Sequence, residues 1–196
     1  MLKEAITKYL SDALKDSSEL QLYKEEKEYV ERHGLGNAPI VEVDTHSRFS
    51  DAYMERLDKE TEKVLKEENA AFLSQPLAYF KTNKNEFLYL ESDWFDLISV
   101  DAVSLEMDDV FGTYDVMLGL KLQKKYGPQI KEYLNSSLQG EGVKFDLMFD
   151  QQDGLWSLNF TLDQVEGFRE DMTVGESYQL IYSLLFNLVA AVEEGR

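Results

Sequence analysis

Apolar residues return every three or four positions at the start of the chain, at Leu2, Ile6, Tyr9, Leu10, Ala13 and Leu14. That spacing predicts an amphipathic helix that turns Lys3, Lys8, Asp12 and Lys15 to water. Ser17 or Ser18 offers an N-cap for a second helix over 20–33, dense in charge, with Leu22, Tyr23, Tyr29 and Val30 as its apolar positions and Gly34 where a helix stops. Asn37, Ala38 and Pro39 break the pattern, and 40–43 reads as a short strand. Ser47 or Ser50 then caps a longer predicted helix reaching about Leu73, with Phe49, Tyr53, Leu57, Val64 and Phe72 as a narrow stripe. Glu55 with Lys59, and Glu62 with Lys66, stand four apart in the order that favours a helix. Pro76 ends it, because the residue before a proline is pushed out of helical dihedrals.

Beyond Pro76 the pattern changes from charged helix to aromatic strand. Residues 86–91 and 102–107 are rich in β-formers or alternate, so both are predicted strands, with 94–100 a short helix or turn between them. Residues 114–126 fit both periods: Val116, Leu118, Leu120 and Leu122 alternate, whereas Met117, Leu120, Lys121 and Lys124 suit a helix ending at Gly127, which is the favoured reading. Pro128 opens a further helix through Ile130, Tyr133, Leu134 and Leu138.

The clearest local signal is a hairpin over 143–162. Val143, Phe145, Leu147 and Phe149 alternate with polar residues, as do Trp156, Leu158, Phe160 and Leu162 beyond Asp153 and Gly154. A two-residue turn at Asp153 and Gly154 sets Phe149 against Leu158, Leu147 against Phe160 and Phe145 against Leu162; a four-residue loop keeps the same parity. Thr173 through Glu176 forms a capping box, and the closing helix to about Glu193 is apolar around most of its circumference. Such a helix belongs in a core. The fold class expected is therefore α+β: an antiparallel sheet, including the hairpin, packed on a buried C-terminal helix with charged N-terminal helices outside. One domain spans 1–196, with 1–75 mainly helical and 76–196 carrying the sheet and the last helix.

Charge alters this picture. The net charge is −18, with 17 acids against 12 bases over 1–82 but 21 against 8 over 83–196. Between Asn85 and Leu120 stand nine acids and no lysine or arginine, threaded with aromatic and aliphatic residues that make the stretch too apolar for a disordered tail. Such a field disfavours nucleic acid and anionic lipid and attracts basic partners or divalent cations. The absence of cysteine excludes disulfides, thiolate metal sites and a cysteine nucleophile, and favours a reducing compartment. No apolar run approaches a membrane span, and Met1 to Glu4 lacks the layout of a signal peptide, so a soluble cytoplasmic protein is expected.

Few residues suggest chemistry. Asp44, His46 and Ser47 lie too close in sequence to converge as a triad, and no Gly-x-Ser-x-Gly turn accompanies them. His33 ends a predicted helix, where a cation suits the helix dipole. The candidate divalent-cation ligands are Glu106, Asp108 and Asp109, with Asp101 and Asp115 nearby, although their spacing is not that of a calcium loop. No glycine-rich phosphate loop is present.

Two blocks, Tyr23 through Gly34 and Tyr89 through Ser92 continuing with Asp108 to Asp115 and Lys124 to Gly127, resemble an uncharacterised family of small bacterial cytoplasmic proteins. Some of its members carry an automatic label of branched-chain amino acid aminotransferase. That label implies pyridoxal phosphate, which needs a Schiff-base lysine, a partner for the pyridine nitrogen and a phosphate cup. Lys144 is the least unsuitable lysine, and no phosphate-binding glycine segment goes with it.

The leading expectation is a protein-binding module, of inhibitor or immunity type, that docks a basic partner through the acidic and aromatic surface of 85–120 and the hairpin; Glu91, Trp94, Asp96, Asp101, Asp146 and Asp150 are its candidate surface residues. No cofactor is required by this reading. The alternatives are a small divalent-metal-dependent enzyme using Glu106, Asp108 and Asp109, and, least favoured, the aminotransferase.

Overall fold

In a computed structural model that describes residues 1–142 and 144–195, the elements run α1 (Leu2–Ala13), β1 (Leu20–Leu22), α2 (Lys24–His33), β2 (Ile40–Glu42), β3 (Tyr53–Asp58), β4 (Val64–Glu68), α3 (Tyr79–Thr82), β5 (Glu86–Glu91), α4 (Asp93–Leu97), β6 (Val100–Met107), β7 (Tyr114–Leu120), α5 (Gly127–Ser137), β8 (Phe145–Asp150), β9 (Leu155–Thr161) and α6 (Val174–Glu194). Seven strands form one antiparallel sheet in the order β4-β3-β5-β6-β7-β9-β8, and β1 and β2 make a separate parallel pair. The α+β architecture with the last helix packed on the sheet is the one the sequence predicts.

Alternation decides which face of the sheet is buried. Leu88 and Leu90 on β5, Val103 and Leu105 on β6, Val116 and Leu118 on β7, and Leu158 and Phe160 on β9 fall in register across the strands and are all buried. Against them lies α6, whose Thr173 hydroxyl accepts from Glu176 N while the Glu176 carboxylate accepts from Thr173 N, so that two donors at its N-terminus are satisfied reciprocally. The Tyr178 hydroxyl of α6 is buried and reaches both the Leu88 and Val103 carbonyls, at 3.1 and 3.2 Å. That contact ties helix to sheet through a polar group that burial would otherwise penalise.

The segment 47–73 departs from expectation. It is no helix but the hairpin of β3 and β4 followed by a 3-10 turn at Ala70–Ser74. Pairing with β5 in full register from Tyr53 to Asp58 wins over helical propensity, and the Asp58 carboxylate closes the turn by accepting from Thr61 N and Oγ1. The four-apart charge pairs are not made: Lys59 reaches the Met107 carbonyl and Glu106, and Lys66 pairs with Glu68. The N-terminal part is thus less helical than its charge pattern suggests, since β1 also takes the first residues assigned to the second helix.

The second departure is Tyr114–Leu120, which is a central strand rather than a helix. Its alternation carries the fit: Tyr114, Val116, Leu118 and Leu120 are buried between β6 and β9. A Cβ at Gly119 would meet Asp101 and Leu155 at 3.5 Å, an ordinary van der Waals contact, which places Asp101 on the open side of the sheet. The hairpin adopts the four-residue loop, pairing Phe149 with Trp156, Leu147 with Leu158 and Phe145 with Phe160. The Asp150 carboxylate, accepting from Gln152 N and Asp153 N, shapes that loop, and Gly154 closes it at φ 71°. Val143, the first apolar position expected in this hairpin, lies outside the described residues.

Candidate functional site

The sheet has a second face. In register across it stand Tyr53, Glu55 and Leu57 on β3, Phe87, Tyr89 and Glu91 on β5, Ser104 and Glu106 on β6, Asp115 and Met117 on β7, Asn159 and Thr161 on β9, and Asp146 and Met148 on β8. None of these side chains is buried. Antiparallel sheets commonly leave one face wet, but here the wet face carries aromatic rings and a methionine, Met148, that is 64% exposed.

Carboxylates dominate its electrostatics. Glu55, Glu91, Asp101, Glu106, Asp115, Asp146 and Asp150 all belong to the face or its rim. Lys121 holds Asp101 at 2.6 Å and Asp96 at 3.7 Å, and Lys59 lies 3.7 Å from Glu106. Among the described residues Glu55, Glu91, Asp115, Asp146 and Asp150 have no ion pair within 4.0 Å. Tyr53 donates to Glu55 and Tyr89 to Glu91, which fixes phenol beside carboxylate in two places. The bond to Glu55 pushes the Tyr53 phenol up to about 12, and burial, then Glu91, raises Tyr89.

Glu106 and Asp115 are directly opposed across β6 and β7, an arrangement that like charges disfavour. Partial burial raises both carboxyls, with Asp108 and the opposing partner adding to it for Glu106 and Asp108 for Asp115, against the pull of Lys59. A carboxyl raised in the folded state binds its proton more readily there than in the unfolded chain. Its stabilising contribution is therefore full at pH below the ordinary carboxyl range and lost as pH rises through the raised value. Asp115→Asn is expected to stabilise the protein at neutral pH by about 0.5 kcal/mol. It should also flatten the gain in stability on mild acidification, both read by urea unfolding at two pH values.

Two shallow depressions open on this side. One of about 210 Å³ is lined by Asp51, Tyr53, Glu91, Asp93 and Asp96, with Ser92 between. The other, about 180 Å³, lies among Asp115, Asp146, Asn159 and Thr161 with Lys144 and two phenylalanines. Both place carboxylates around a space that a lysine or arginine side chain could enter.

The structure sorts the candidate residues. Glu91, Asp101, Asp146 and Asp150 stand on the face or its rim, although Asp150 is occupied by its turn and Asp101 by Lys121. Asp96 shares Lys121 at the edge. Trp94 does not belong there: it packs on the helical side against Tyr9 and Tyr23, with ring centroids 5.4 and 4.8 Å away. Sequence reading missed Tyr53 and Glu55, whose alternation with the buried Met54 was the available signal, and also Met117, which it placed on a helix.

The metal candidates do not converge. Glu106 faces Asp115 and Lys59, the Asp108 carboxylate accepts from Val110 N and Phe111 N at 2.6 and 2.8 Å, and Asp109 is exposed on the same turn. Among the described residues no three acidic or histidine side chains come together as a ligand set. His46 Nδ1 meets Asp44 at 2.8 Å, while the Ser47 hydroxyl donates to the Asp44 carbonyl at 2.8 Å. His33 Nε2 lies 3.0 Å from Glu194. Lys144 Nζ donates to the carbonyls of Asn135 and Leu138, at 3.2 and 2.5 Å, closing the C-terminal end of α5.

The most deeply buried charge lies behind the sheet, in the helical layer. Arg48, with a side chain 0% exposed, donates to Glu26 at 2.7 Å and Glu25 at 2.6 Å, and its guanidinium carbon lies 3.9 Å from the Tyr182 ring centroid and 4.3 Å from that of Tyr23. Tyr182 donates to the same Glu26 oxygen at 2.5 Å. This knot ties α2 and the segment before β3 to α6, and only Glu25 among its three charged members reaches solvent. Among the described residues no helix is long and apolar enough to cross a membrane. Compared with known proteins, the chain matches no protein-family model, no curated protein and no solved structure.

Proposed function

We propose that this chain is a binding module for a basic protein and that it docks through the open face of its sheet. The observation that carries the reading is the row of carboxylates Glu55, Glu91, Asp115 and Asp146, set among Tyr53, Tyr89, Met117 and Met148 with no cation paired to them among the described residues. Exposed aromatics and methionine supply contact area at low ordering cost, and the surrounding carboxylates steer a cationic partner and reject anionic ones. A role of inhibitor or immunity type, in which an acidic face covers a cationic site on another protein, is one form this takes.

The experiment uses a peptide rich in lysine and arginine as probe. Its affinity should fall steeply with added salt. The combined variant Glu55→Gln, Glu91→Gln, Asp146→Asn should weaken it about tenfold at low salt. A control of equal charge change on the helical side, Asp16→Asn, Glu19→Gln, Glu31→Gln, should change it far less. Equal losses in the two variants would mean that diffuse net charge, and no particular face, attracts the probe.

A further inference from the structure

The turn between β6 and β7 exposes two apolar side chains that nothing in the fold requires. Val110 is 83% and Phe111 80% exposed, the most of any large hydrophobic residue described. Isolated exposed apolar residues are ordinary, but an adjacent pair at a loop tip gains nothing from its position in the monomer.

Hydrogen bonds close the turn beneath them. The Asp108 carboxylate accepts from both Val110 N and Phe111 N, Asp108 N donates to the Thr113 carbonyl at 2.8 Å, and Gly112 N donates to the Asp108 carbonyl at 2.9 Å. Gly112 sits at φ 72°, where a Cβ would be strained. A side chain presented on a fixed backbone loses less freedom when it is buried in a partner.

The surroundings of the tip select its partner. Asp108 and Asp109 flank the pair in sequence, and Asp108 lies close enough to Glu106 and Asp115 for its charge to raise both carboxyls. Lys59, beside Glu106, is engaged by the Met107 carbonyl and by Glu106 itself. A second copy of this chain, with net charge −18, would meet like charge there. Anionic lipid would be repelled in the same way.

We infer that Val110 and Phe111 are the anchor of the docking surface and insert into an apolar cleft bordered by lysine or arginine on the partner. This rests on the proposed function and specifies the partner's chemistry: a basic rim matched to Glu106, Asp108 and Asp115, around an apolar centre matched to the tip. A buried aromatic anchor inside a charged ring is the common layout of a binding hot spot.

The test compares two peptides of equal length and positive charge, one with leucines at i, i+3, i+4 and i+7 among lysines so that it forms an amphipathic helix, and one with serine in place of leucine. The wild-type protein should bind the leucine peptide about tenfold more tightly than the serine peptide, and the double variant Val110→Ser, Phe111→Ser should bind both with the wild-type affinity for the serine peptide. The variant's melting temperature should match the wild type, since both side chains are exposed. A preference for leucine that survives in the variant overturns the anchor while leaving the acidic face intact. Binding of the leucine peptide alone, lost in the variant, supports the anchor and removes the proposed role of the face. Sedimentation with phosphatidylcholine vesicles that depends on Phe111 would overturn a protein partner in favour of a lipid surface.

Discussion

Replacing Arg48 with alanine is expected to destabilise the protein by about 3–5 kcal/mol, because it strands a buried carboxylate. Glu26 has a side chain 1% exposed and loses the cation paired with it, while Glu25, at 15%, can turn toward water. Burial works against the Arg48 charge, and Tyr182, Glu26 and Glu25 together outweigh it. Lysine should not rescue: it keeps the charge but lacks the planar fork that bridges two carboxylates, and it stacks less well between the Tyr23 and Tyr182 rings. The knot is itself imperfect, since Arg48 Nε and Glu26 Oε2 are buried without a hydrogen-bond partner. Replacing it whole, with Arg48→Met, Glu26→Leu and Tyr182→Phe, should therefore return stability to within about 1–2 kcal/mol of the wild type. Urea unfolding of the single and combined variants gives both numbers. A single variant as stable as the wild type would show that the charges are not buried as described.

Phe95→Ala carries the second large effect, about 3–5 kcal/mol of lost stability. Phe95 is the buried residue of α4, stacked on Phe49 at 5.2 Å and 23° and tilted against Tyr182 at 5.8 Å and 51°. The five-residue helix that carries it is too short to persist alone, so this ring fixes the crossing from β5 to β6. Phe95→Leu, which conserves most of the volume, should cost less than about 1.5 kcal/mol. Equal losses for alanine and leucine would show that ring stacking, and not cavity formation, sets the cost.

Both effects concern residues whose sequence context disguises them. Glu25 and Glu26 sit in a run of charges that reads as a solvated helix face, and nothing around Arg48 marks it for burial. Charge informs on solvation only until a partner of opposite sign is found, and that partner is 22 residues away. By contrast the β8–β9 pairing and α6 were legible, because strict alternation and the Thr173 capping box are local signals that agree with the fold. The hairpin loop length was not, since its two options differ by two residues and keep one parity. The segment 47–73 was misread because Glu–Lys spacing and an apolar stripe mimic a helix, while the pairing of β3 with β5 is a long-range contact invisible to local pattern. Tyr114–Leu120 fitted both periods, and its place between β6 and β9 decided for strand.

The candidate face was legible in part for the same reason. Its charge could be counted from 85–120, but membership depends on register. Trp94 lies in the same acidic stretch and ends in the helical layer, whereas Tyr53 and Glu55, from the segment taken as helix, stand beside Glu91 and Tyr89. Of the nine acids in that stretch, Glu86 is neutralised by Arg56 at 2.8 Å on the core side and Glu106 is approached by Lys59 at 3.7 Å; among the described residues these are the ion pairs that bases from earlier in the chain make with it.

The central claim is that the uncovered sheet face, and not the charge of the whole molecule, recognises a basic partner. Amide chemical-shift mapping of the labelled protein during titration with the lysine- and arginine-rich peptide tests it most directly. The largest shifts should fall along the cross-strand row Glu55, Tyr89, Ser104, Met117, Asn159 and Asp146 and diminish together as salt is added. Shifts concentrated on α1 and α2, or spread evenly over every acidic residue, would contradict it.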